Sequence, residues 1–360
     1  MSIPYRTRQQ LNRVGMVLLF ILTILIIAWF CSVVWLQRHV VYSRDGAKLD
    51  LDINANEIIG EVAHPPAAGE DSISIYYNEG ENAIDASNEL TELDGYFIDS
   101  EDLQNNIAGV WDMLEPLSIG TPIMVDLKGG YGSFYYSSNI EGAIASQSVS
   151  TASVDEMISD MKERGFYLIA RVSAFRDYNY GLHHVGSGLM HTNGLGLWPD
   201  SGGCYWLNPG DPAVVNWLIS IVNELKELGF HEVVLTDFRF PDSDMYRYNG
   251  TEEDKTAALV SAANSIATQC TTSRFCVSFA VSDPTFTLPE GRTRIYLENV
   301  DASAAAGKAA QVTIENPETR LVFVATTNDT RYNDFGVLRS IEVSGVLEAQ
   351  KAALAEKKNG

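Results

Sequence analysis

Apolar runs that close on charged residues recur along this chain. PIMVDLK (122–128) carries Asp126 and Lys128, and YLIARVSAF (167–175) holds Arg171. EVVLTDFRF (232–240) carries Asp237 and Arg239, and RIYLEN (294–299) carries Glu298. Runs this rich in Val, Ile, Leu and Phe read as strands buried on both faces, the pattern of a parallel sheet. A charge within such a strand is costly to bury unless it is paired or serves chemistry. Several strands with charges toward their C-terminal ends predict the working rim of a β/α barrel.

The rest of the pattern agrees. GYFIDS (95–100) predicts a first strand and 101–117 a helical stretch, with a second helix over roughly 153–164. Asp211-Pro212 sets an N-cap and a first-turn proline for a helix that Gly229 stops. A further helix near 251–268 starts on Thr251, with Glu252 and Glu253 in the first turn, where the macrodipole favours acids. FCVSFAVS, RIYLEN and RLVFVATT follow as strands, and GVLRSIEV (336–343) is the weakest candidate, for an eighth. KERGFYLIARV (162–172) and KELGFHEVVLTDF (226–238) echo each other at their helix-to-strand junctions, as repeated βα units would. The expected fold is an α/β TIM-type (β/α)8 barrel over 94–345, with an irregular eighth strand. A doubly wound sheet is the competitor, but no GxGxxG follows the first strand.

Residues 14–36 hold no charge, and at helical rise these 23 residues suffice to cross a bilayer. No small-residue cleavage site follows, so the run predicts an uncleaved single-pass anchor rather than a signal peptide. Basic residues flank it almost evenly: Arg6, Arg8 and Arg13 before, Arg38, Arg44 and Lys48 after. The expected layout is a short cytoplasmic tail (1–13), the anchor (14–36), an acidic stalk (37–93) with one strand at SISIYY (72–77), the barrel, and a C-terminal helix or tail (346–360). That puts the large domain outside the cytoplasm, on the cell membrane. The formal net charge of −22 argues against nucleic acid as a partner. Cys270 and Cys276 flank a short turn, and either a small disulfide or two thiols fits the spacing.

Four segments carry a resemblance: VDLKGGYGSFYYSS (125–138), ERGFYLIARVSAFRD (163–177), LWPDSGGCYWLNPGDPAV (197–214) and LGFHEVVLTDFRFP (228–241). In order and spacing they resemble a family of glycosyl hydrolase-like β/α-barrel domains distantly similar to α-amylase-type barrels. The family's fourth strand reads Asp-Tyr-x-Arg-Phe-Pro. Aligned on Arg239-Phe240-Pro241, its acid falls on Thr236, whereas the carboxylate here is one place later, at Asp237. A shift of one residue in a strand swaps the face a side chain points to.

The resemblance implies glycoside hydrolysis, which commonly uses two carboxylates. Asp237 is the candidate nucleophile, with Arg239 two residues on to hold it ionised. Glu298 is the preferred acid and Asp126 the runner-up, since Lys128 beside it would keep it charged. Lys128, Tyr131, Arg171, Trp198, Trp206 and Arg239 are candidate substrate contacts, the aromatic rings suiting the apolar faces of sugars. The bland alternative is that Asp126, Lys128, Arg171, Asp237, Arg239 and Glu298, which sum to zero charge, form a self-compensated ion network. His183, His184 and His191 match no metal-ligand spacing, so no metal or other cofactor is expected. The leading expectation is thus a membrane-anchored, extracytoplasmic glycoside hydrolase acting on a poly- or oligosaccharide. An inactive barrel binding cell-envelope polysaccharide is the alternative, and a scaffold with an acidic surface is a third.

Overall fold

The computed structural model describes residues 90–282 and 286–344, with the short pieces 22–26, 28–29, 40–43 and 46–49. Eight parallel strands close on themselves: β1 (Asp94–Ile98), β2 (Pro122–Lys128), β3 (Tyr167–Ser173), β4 (Glu232–Thr236), β5 (Cys276–Ala280), β6 (Ile295–Glu298), β7 (Leu321–Ala325) and β8 (Gly336–Ser340). Each pairs with its sequence neighbours, and β8 pairs with β1 to complete the cylinder. The weak eighth candidate is therefore a strand, and the doubly wound alternative is excluded by closure.

Strand parity sorts the side chains. Leu93, Met124, Ile169, Val234, Ala280, Tyr296, Val322 and Leu338, one on or just before each strand, pack together inside the barrel. Neighbours of opposite parity, such as Ile123, Val125, Leu168, Val233 and Leu235, face the larger cluster shared with the helices. Asp126, Arg171, Thr236 and Glu298 lie two residues beyond Met124, Ile169, Val234 and Tyr296, so they form the next interior tier toward the C-terminal mouth. The ladder sets Asp126 opposite Arg171, and a register shift in β2 separates Asp126 from Lys128.

The helical cover is uneven. The stretch expected over 101–117 splits into α1 (Ser100–Asn105) and α2 (Ile107–Leu114). Next come α3 (Thr151–Glu163), the short α4 (Tyr178–His183), α5 (Pro212–Glu227) and α6 (Glu252–Cys270). Asp211 caps α5 on Ala213 N, and Thr251 with Asp254 forms a capping box on α6. The echoed junctions turn on Gly165 (φ 74°) and Gly229 (φ 98°), left-handed positions that glycine adopts without a Cβ clash. After β6 the described α-helices are only α7 (Ala305–Ala309) and α8 (Pro317–Arg320).

Within the apolar run, residues 22–26 and 28–29 are helical, and the rest of 14–36 lies outside the described residues. Among the described residues no helix is long and apolar enough to cross a membrane. The region read as a stalk contains an antiparallel hairpin, Val40–Ser43 with Gly46–Leu49. SISIYY and the tail at 346–360 lie outside the described residues. Cys270 and Cys276 are free thiols, so the disulfide option is set aside. Cys270 packs in the helix-facing core, while Cys276 sits against Ser278 and Arg294 on the barrel's inner side.

Candidate active site at the barrel mouth

Arg171 is the hub of the mouth. Its Nη1 donates to Asp126 Oδ1 at 2.6 Å, and its Nε and Nη2 fork onto Glu298 Oε1 and Oε2 at 2.8 and 3.0 Å. Nη2 also lies 3.4 Å from Thr236 Oγ1, and the guanidinium sits over the Phe97 ring at 5.5 Å. Asp126 takes a further bond from Ser100 N at 3.1 Å, where the chain leaves β1 for α1. Burial raises the Asp126 carboxyl above its ordinary range, and the opposing pull of Arg171 and Ser100 does not cancel it. Burial works against the Arg171 charge, but Asp126 and Glu298 outweigh it and hold Arg171 firmly cationic.

Lys128 does not attend Asp126. Its Nζ pairs with Asp177 Oδ2 at 2.8 Å and donates to Ser173 O at 2.8 Å, with both side chains of the pair sealed from solvent. Lys128 therefore does nothing to keep Asp126 charged, and gives no ground for setting Asp126 below Glu298. Glu298 is the more constrained of the two, because a bidentate fork occupies both of its oxygens as acceptors.

Asp237 stands apart from this triad. It follows the last residue of β4 with φ 52°, a left-handed conformation that asparagine and aspartate tolerate better than most residues. The turn offsets the one-residue shift noted in the sequence: Thr236 keeps the inward strand position, and Asp237 still reaches Ser173. Ser173 Oγ lies 2.8 Å from Asp237 Oδ2 and 2.8 Å from Arg176 O. One hydroxyl proton cannot serve both acceptors. Ser173 either donates to the ionised carboxylate or accepts from a protonated Asp237 while donating to the carbonyl, so both protonation states are accommodated.

Arg239 does not hold Asp237. Its guanidinium lies 4.9 Å over the Trp206 ring and Nη1 donates to Phe240 O at 3.3 Å; among the described residues Asp237 has no ion pair. The backbone explains this, since Arg239 N bonds to Asp237 O in a tight turn, breaking the strand geometry that would align residues two apart. Of the self-compensated set, then, Arg171, Asp126 and Glu298 compensate one another, while Lys128, Asp237 and Arg239 do not join them.

A second pair backs the loops. Arg176 Nε donates to Asp200 Oδ2 at 2.6 Å, and Trp206 Nε1 reaches the same oxygen at 3.0 Å. Burial alone would raise the Asp200 carboxyl, but these bonds and that from Cys204 N bring it down to about 2. Trp198 and Trp206 are 9% and 3% exposed, packed against Tyr246 and beneath Arg239, so they are buried ring contacts rather than open platforms. Tyr131 is 57% exposed. His183 and His184 bond backbone carbonyls of α4 through Nδ1, His191 Nδ1 accepts from Asn193 N, and no group able to hold a metal is found among the described residues.

Reading the sequence missed Ser173, Arg176, Asp177 and Asp200. The signal was present for three of them: Arg176 and Asp177 directly follow the apolar run YLIARVSAF, and Asp200 lies within LWPDSGG. Ser173 carries no such mark.

The model of the family described as "Putative glycosyl hydrolase domain" matches residues 99–282, just over half of the chain. No curated protein matches it. Among solved structures, an α-galactosidase from Lactobacillus brevis aligns at TM-score 0.52 and 12% identity, over 75% of this chain and 40% of that one. A GH36 α-galactosidase from Geobacillus stearothermophilus aligns at 0.47 and 13%, over 75% and 42%. The chain thus spans about two-fifths of these enzymes. A hypothetical protein from Ruminiclostridium thermocellum aligns at 0.44 and 22%, over 51% of this chain and 96% of that one. At these identities the first likeness speaks for the barrel fold alone, and the other two carry no argument. With the family model spanning β2 to β5 and taking in Asp126, Lys128, Arg171 and Asp237, the chain belongs to the glycosyl hydrolase-like barrel family whose model it matches.

Proposed function

We propose that this protein is a membrane-anchored, extracytoplasmic glycoside hydrolase that cleaves a poly- or oligosaccharide at the barrel mouth. The observation that carries the reading is Asp237: a carboxylate at the C-terminal end of β4, with no ion pair among the described residues and a serine able to follow either protonation state. It acts as nucleophile or base. Glu298 supplies the proton. To do so it must leave the Arg171 fork, and Arg171 can stay with Asp126 when a sugar hydroxyl takes its place. The anchor rests on the uncharged run at 14–36, and the extracytoplasmic placement on the large acidic domain that follows it.

A second reading is favoured by one observation. Arg171 occupies Asp126 and both oxygens of Glu298 at once, which suits a barrel that binds polysaccharide without cleaving it. The deciding experiment is turnover of envelope and plant glycans by the purified full chain beside Asp237→Asn and Glu298→Gln. The hydrolase reading expects reducing ends from the parent and none from either variant. Equal release by parent and Asp237→Asn would remove Asp237 from the mechanism, and binding without release by all three would establish the second reading.

A further inference from the structure

Tyr131 is the most exposed aromatic ring of the barrel's described residues, yet its hydroxyl is fixed. It donates to Gly202 O at 2.7 Å, bridging the loop after β2 to the loop after β3. Its ring sits 6.2 Å from that of Tyr178, which in turn stacks on Tyr205 at 4.9 Å and 10°. Both are partly exposed. The loop carrying Tyr131 has little room to move: a Cβ on Gly130 would lie 2.5 Å from Arg176 Nη1, and one on Gly132 would lie 1.9 Å from Asp177 Oδ1. Those neighbours tie the loop to the mouth, since the Arg176 carbonyl shares the Ser173 hydroxyl with Asp237.

An exposed ring held at its polar end has already given up the rotamer freedom that binding would otherwise cost. Tyr131 offers an open apolar ring, and the stacked Tyr178–Tyr205 pair extends it with the ring surface that their mutual stacking leaves exposed, beside hydroxyl rims, the chemistry of a pyranose. We propose that Tyr131, Tyr178 and Tyr205 form a stacking subsite for an uncharged stretch of glycan running outward from Asp237, so the protein engages chains of several sugars rather than a terminal residue alone. The inference rests on the carbohydrate reading above. It adds where the chain lies and that its length matters.

The test is binding of matched di- and hexasaccharides of the cello, xylo, galacto and chito series to the full chain by calorimetry. For at least one series the hexasaccharide is expected to bind tenfold or more tighter than its disaccharide. Tyr131→Ala is expected to abolish most of that ratio, Tyr131→Phe to keep most of it, and Ile119→Ala, an exposed apolar residue before β2, to leave it as it was. A length-independent affinity, a ratio untouched by Tyr131→Ala, or no binding in any series would overturn the proposal. Length-dependent binding lost in Tyr131→Ala, with no cleavage by any form of the protein, would keep the subsite and discard the hydrolase. Cleavage lost in Asp237→Asn with no dependence on Tyr131 would do the reverse.

Discussion

The barrel holds an arginine–carboxylate network at each end, and the two are built differently. At the floor, Arg294 pairs with Glu232 where neither side chain has more than 1% of its surface exposed. Tyr296, Tyr167 and Ser278 donate their hydroxyls to the same carboxylate. At the mouth, Arg171 pairs with Asp126 and Glu298, whose side chains keep 9% and 20% exposure beside its own 23%. A sealed ion pair is tolerable only when every lone pair is satisfied, and the floor meets that condition. The mouth leaves its members reachable by solvent. One network closes the cylinder; the other remains open to a ligand.

The contrast can be broken most sharply at the floor. Glu232→Gln leaves Arg294 buried without a counter-charge and is expected to cost about 3–5 kcal/mol in urea unfolding; a loss below about 1 kcal/mol would erase the distinction. Arg171→Met at the mouth should cost less, about 1–2 kcal/mol, because water can reach the carboxylates it abandons. Asp237→Asn belongs to neither network, and its stability should stay within about 0.5 kcal/mol of the parent while glycan hydrolysis drops by about 10³-fold or more. Comparable losses in both properties would make Asp237 a structural residue.

The smallest effect concerns Asp102 of α1, buried with no ion pair among the described residues. Burial first, then Asp99 and Glu342, raise its carboxyl to about 6 from an ordinary 3.8. The folded state therefore holds this proton more tightly than the unfolded chain does. Stability from this group is gained as pH falls from about 6 toward 4, and the charged form is a burden above 6. Asp102→Asn should raise the melting temperature at pH 7.5 and leave it unchanged below pH 4. A gain that persists at pH 3.5 would point to some cause other than titration.

Much of this was legible from pattern. Continuous apolar runs gave the strands, and the caps at Asp211 and Thr251 marked the helices, because those signals are local. That Asp126, Arg171 and Glu298 share an end followed from their place in each strand. Their partners did not, because pairing depends on register and on the β2 shift between Asp126 and Lys128. Lys128 was assigned to the wrong carboxylate for that reason. Arg239 was misread because strand parity stops where Asp237 turns left-handed. Glu232 drew no notice at all: it opens a strand, and the four groups that satisfy it come from β3, β5, β6 and the residue before β6, out of reach of any local signal.

Arg294 has one more tie. Its Nη2 donates to Thr91 O at 2.8 Å and its Nε to Thr319 O at 2.8 Å, so a single guanidinium clasps the backbone just upstream of β1 to the approach to β7. Load applied to the backbone at Thr91 would meet this clasp before it reached β1. Load entering there is shared with the base of the barrel, at the end opposite Asp237.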